Sequence, residues 1–159
     1  MTFLGWLHLL AALVAMASGA VVLLGRKGTR GHRRLGWAYV ASMLALNGSA
    51  LLSYRLFGGF GPFHVAAIVS LGGLVMGVLV MRRPRDPRAV ERHYYWMTWS
   101  YVGLLAAFVS EVGTRVPGAV FWWAVLAGTL LVVAVGSRLI LRGAATTLRP
   151  FLAPPAAPG

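Results

Sequence analysis

The sequence contains no cysteine and only three acidic residues. The first absence excludes disulfides, thiolate metal centres, iron–sulfur clusters and covalent c-type haem attachment, and leaves the redox compartment open. Charge of either sign is also scarce. Only 11% of the 159 residues are charged, against about 25% in soluble domains. With 58% hydrophobic residues, the chain is too apolar for an ordinary water-facing surface. No nucleophile–base pair, phosphate-binding loop or HExxH motif occurs, so hydrolysis and phosphoryl transfer have no support in the residues.

What charge there is belongs almost entirely to fifteen Lys and Arg, for a net +12. A nucleic-acid surface is one reading of such a balance, but the cations sit in short blocks between long apolar runs, which is a membrane pattern. A bilayer core of about 30 Å takes about 20 apolar residues as a helix. Five segments meet this: 3–24, 34–57, 63–81, 94–114 and 118–141. The first run has no basic residue before it and is longer than the apolar core of a signal peptide, so it is expected to be a retained span. We therefore expect an all-α, polytopic membrane helix bundle in residues 1–142. A flexible Pro/Ala-rich cytoplasmic tail is expected over 143–159.

Thirteen of the fifteen cations fall on one side of such a bundle: Arg26, Lys27, Arg30, Arg33 and Arg34; Arg82, Arg83, Arg85, Arg88 and Arg92; Arg138, Arg142 and Arg149. Only Arg55 and Arg115 fall on the other. Cytoplasmic loops carry the positive excess, so the expected orientation is N-terminus outside and C-terminus in the cytoplasm. Trp6, Trp122 and Trp123 would mark the outer interface, and Trp37, Trp96 and Trp99 the inner one. The basic face should attract anionic lipid headgroups, and nucleic acid is not an expected partner.

Each of the first four spans has one histidine near an end. His8 and His64 fall at outer ends, His32 and His93 at inner ends. Helical phase, at 100° per residue, adds stripes. His93, Met97, Ser100, Leu104, Ala107 and Glu111 share one side of span four, and that side is expected to face the interior because ionised groups in lipid are costly. His32, Gly36, Tyr39, Met43 and Asn47 share a side of span two, and Ala11, Ala15 and Gly19 continue below His8. Small residues so spaced allow close helix packing or leave a slot for a flat ligand.

Two histidine layers on alternate helices have the geometry to clamp planar groups near each membrane face. Neutral imidazoles from facing helices are good axial ligands for haem b. The candidate ligands are His8 with His64 and His32 with His93. Arg55, Tyr39, Asn47 and Ser100 would be supporting polar residues. Two such haems would form a transmembrane electron path toward a quinone or a redox partner protein. A second possibility uses His8, His64 and Glu111 as a two-His-one-carboxylate metal site or as titrating groups of a small transporter. In a third, the chain is a non-catalytic membrane subunit or assembly protein. Its histidines are then interfacial polar residues, Met43 and Met97 core filler, and Glu111 a partner of Arg115 or Arg55.

Several stretches carry a family resemblance: His8 in span one, "KGTRGHRRLGWAYVASM" (27–43), "FGPFHVAAI" (60–68) and "RHYYWMTWSYVGLLAAFVSEVGTR" (92–115). Over about residues 1–115 the chain resembles the bacterial predicted membrane proteins called domain of unknown function 2306. This implies a multi-pass protein of a bacterial plasma membrane and no assigned activity. "HRRLGW" at 32–37 and the paired histidines are also similar to cytochrome b561-type di-haem proteins. That likeness implies transmembrane electron transfer, with His8 and His64 matching one haem's ligands and His32 and His93 the other's.

Overall fold

A computed structural model describes residues 2–54, 58–82 and 88–152. It is all-helical, with α1 at Phe3–Leu24, α2 at Arg30–Leu51, α3 at Pro62–Val80, α4 at Ala89–Gly113 and α5 at Phe121–Leu152. The expected apolar runs thus become helices, with shifted ends. Thr29 caps α2 by accepting the His32 N–H at 3.1 Å, so this helix starts four residues before the expected span. It also ends at Leu51, short of 57. α4 takes in the basic run from Ala89. α5 continues past the expected boundary at 142 to Leu152, so the first part of the expected tail is helix.

Helix ends in an apolar medium must satisfy their own backbone groups. Thr2 accepts the Gly5 N–H at 3.3 Å to start α1. At its other end Lys27 Nζ folds back to donate to the carbonyls of Val22 (2.8 Å), Leu23 and Gly25 (3.2 Å). Partial burial there holds the Lys27 ammonium below its usual pKa of 10.5. Hydroxyl and amide groups inside helices return to their own turns: Ser18 to Val14 O, Asn47 to Met43 O and Thr98 to Tyr94 O.

The chain forms two units, residues 1–75 and 76 onward, with the division inside α3. In the first, α1 pairs with α2. The buried positions of α1 are Ala11, Ala15, Ser18 and Gly19, and Ala15 is fully covered. Of the two uses expected for this small-residue row, the pairing uses it for close helix approach. The buried positions of α2 include Tyr39, Met43 and Asn47, the stripe expected below His32.

In the second unit α5 runs antiparallel to α4. A Cβ placed on Gly128 would lie 3.3 Å from Ser110 N, one on Gly136 2.6 Å from Val102 Cγ2, and one on Gly143 3.0 Å from Tyr94 Oη. Successive glycines of α5 therefore meet successive turns of α4, and backbones approach because no side chain intervenes. Ser110 Oγ donates to Val125 O at 3.2 Å, and Tyr94 Oη donates to Ile140 O at 3.0 Å.

Much of the remaining surface is apolar, including Leu10, Leu13, Val14, Ile68, Val69, Leu130, Leu131, Leu139 and Leu141. Soluble monomers rarely expose contiguous apolar surface on this scale, and lipid is a medium in which it is stable. Three helices, α1, α3 and α5 (Phe121–Phe151), are long and apolar enough to cross a membrane. α2 and α4, with 22 and 25 residues, have the length. Asn47, Ser42 and Ser49 in one, and Thr98, Ser100 and Ser110 in the other, lower their hydropathy.

Candidate functional site: the histidine positions

His8 is half-buried in the second turn of α1, and its Nδ1 lies 2.9 Å from Ser49 Oγ of α2. The Ser49 hydroxyl has one proton and directs it at Leu46 O, 2.8 Å away. Ser49 must therefore accept from His8, so His8 carries its proton on Nδ1 and has a bare lone pair on Nε2. This bond ties α1 to α2.

His93 is held in the same protonation pattern by a different partner. Its Nδ1–H donates to Gly77 O, 2.8 Å away, in the last turn of α3. That carbonyl lies where the helix is ending: the Met81 N–H turns to Val78 O instead, at 3.3 Å. His93 caps the exposed carbonyl through this bond. Gly77 also lies close against α4, since a Cβ there would be 2.7 Å from Met97 Sδ and 3.2 Å from Trp96 Cβ.

His64 is arranged the opposite way. It is the third residue of α3, and its Nδ1 accepts the N–H of Gly61, the residue before the helix, at 3.1 Å. This is the reach-back half of a capping box, with imidazole in place of the usual carboxylate. Accepting at Nδ1 places the proton of the neutral ring on Nε2. The side chain is only 3% exposed, and the rings of Tyr54 (4.8 Å) and Phe60 (5.1 Å) stack on it. Nε2 is buried and has no hydrogen-bond partner among the described residues.

His32 lies in the first turn of α2, half-buried between the exposed Arg30, Arg33 and Arg34. Tyr39 and Asn47 are buried, and Ser100 is half-buried in α4. Arg55 lies outside the described residues.

Glu111 departs from the expected stripe. It is exposed, and its Oε1 lies 2.7 Å from Arg115 Nη2 one turn on, with both side chains about half or more open. The buried positions of α4 are Ala89, Thr98, Val102, Leu104, Ala106 and Ser110, so Leu104 of the expected stripe is covered while Glu111 is not, and Val102 and Ser110 lie where glycines of α5 approach. Glu111 is thus the surface partner of Arg115, one of its expected alternatives. Among the described residues no group of three or more His, Asp or Glu is placed to hold a metal ion.

The partners that define these histidines, Ser49, Gly77, Tyr54 and Phe60, have no mark in the sequence as such. His64 shares with a capping box only its spacing, three residues after Gly61. A family model described as "Predicted membrane protein (DUF2306)" matches residues 5–142. Neither a curated protein nor a solved structure matches the chain.

Proposed function

The chain belongs to the predicted membrane proteins of the DUF2306 family, and from that premise we propose that it is a five-span, non-catalytic membrane subunit. In this reading the start of α1 is outside, the end of α5 is inside a bacterial plasma membrane, and the polar side chains fasten helix to helix. One observation carries it. Polar groups are engaged within the chain: His8 with Ser49, His93 with Gly77, Tyr94 with Ile140 and Ser110 with Val125 between helices, and Glu111 with Arg115 one turn apart. The five-span topology and its orientation rest on helix length and the one-sided Lys/Arg distribution. Anionic headgroups are the natural partners of that basic side.

The absence of cysteine makes the orientation directly testable. Thr114→Cys and Thr146→Cys place single thiols after α4 and late in α5. An impermeant maleimide applied to intact cells should label the first and spare the second. The reverse pattern, or labelling of both, would overturn the orientation.

A second reading, haem b binding for electron transfer, is favoured by the Nδ1 bonds of His8 to Ser49 and of His93 to Gly77. A histidine fixed by donating from Nδ1 is in the form that ligates a metal. Haem held there would supply one-electron chemistry. His64 as placed does not fit as an axial ligand, because its Nε2 carries the proton, so an outer His8–His64 pair is not supported by this geometry. A reduced-minus-oxidised visible spectrum of haem-replete purified protein separates the readings. No b-type α-band, with His8→Ala and His93→Ala lowering thermal stability alone, is the outcome for the subunit reading. A band lost in those variants would replace it with the haem reading.

A further inference from the structure

The buried Nε2–H of His64 has no role in either reading. A donor removed from water without an acceptor is unfavourable, and buried polar groups are nearly always paired. The proton cannot be shifted to Nδ1 without breaking the bond from Gly61 that caps α3. The group is therefore fixed as a donor, inside an aromatic surround, at the start of a helix apolar enough to cross a membrane.

We propose that His64 Nε2–H is a hydrogen-bond seat for the carbonyl oxygen of a membrane-dissolved molecule, either the ring ketone of a quinone or the acyl ester of a lipid. The donor needs an acceptor oxygen, and carbonyls are acceptors that dissolve in the apolar part of a bilayer. The rings that cover His64 stand on non-helical backbone at Tyr54 and Phe60, and are 50% and 64% exposed. Their open faces supply an apolar wall on which a flat ring can stack.

The test reads the Nε2–H signal by NMR in full-length protein labelled with 15N-histidine, assigned by its loss in His64→Phe. Three preparations are compared: nanodiscs of diether lipid, which has no carbonyl; the same with decylubiquinone; and nanodiscs of diester lipid. A downfield displacement of the Nε2–H proton on adding decylubiquinone identifies a quinone ring. A displacement in diester lipid alone identifies the lipid ester. His64→Phe keeps a stacking ring but removes the donor, and should weaken decylubiquinone binding about tenfold in the first case. An unchanged signal in all three preparations overturns the proposal, as does a spectrum showing the proton on Nδ1.

Discussion

Gly136→Ala is the most direct test of the α4–α5 pairing. Gly136 is buried, and a methyl group there would lie 2.6 Å from Val102 Cγ2 and 2.8 Å from Cγ1. Carbon atoms rest at roughly 3.5–4.0 Å, so a gap of about 1 Å must open. Valine cannot turn aside, because a helix allows it one main χ1 rotamer and both methyls are already in the way. Overpacking of this kind costs about 1–3 kcal/mol. Against it stands a gain of about 1 kcal/mol from replacing glycine by alanine in a helix.

Gly103 removes the ambiguity. It is the next residue to Val102, is exposed, and has no heavy atom within 4 Å of a built Cβ. Gly103→Ala should show the propensity gain alone, so the two variants should differ by about 1–3 kcal/mol. Reversible unfolding in mixed detergent micelles, followed by far-UV helicity, measures both. Adding Val102→Ala to Gly136→Ala removes the two obstructing methyls and should recover part of the loss. Equal stabilities for the two alanine variants, or no recovery with Val102→Ala, would refute the close approach of α5 to α4.

Ser49→Ala deprives His8 Nδ1–H of its acceptor and should cost about 1–2 kcal/mol. A double-mutant cycle with His8→Phe should return coupling, and none would refute the α1–α2 tie. Lys27→Ala uncovers three carbonyls at the end of α1, for a loss of about 1–2 kcal/mol in the same unfolding assay. Lys27 also has a pH signature. Its folded pKa lies below the unfolded 10.5, so the unfolded chain holds the proton more firmly between those values. Its contribution to stability should therefore rise with pH across that window, and the slope should vanish in Lys27→Met. Glu111→Gln removes an exposed i,i+4 ion pair and should change stability by less than about 0.5 kcal/mol, with the small effect falling in high salt. A large loss would contradict its surface position.

The sequence by itself determined the class of this protein and the approximate placing of its five helices. Both follow from local quantities: the length of apolar runs and the clustering of cations. Tertiary structure decided which face of each helix is covered. The phase linking His93 to Glu111 is correct as helical geometry, yet of that stripe Leu104 is covered and Glu111 is exposed, while a second row through Thr98, Val102, Ala106 and Ser110 is buried. That choice belongs to α5, whose glycines permit a close approach on that side, and spacing within α4 contains no information about its neighbour. The protonation of the histidines is decided in the same way. Imidazole is a donor or an acceptor at Nε2 according to what faces Nδ1, and for His8 and His93 that partner is dozens or more than a dozen residues distant, at Ser49 and Gly77. For His64 the partner is Gly61, three residues back, a local contact that only the folded helix end reveals.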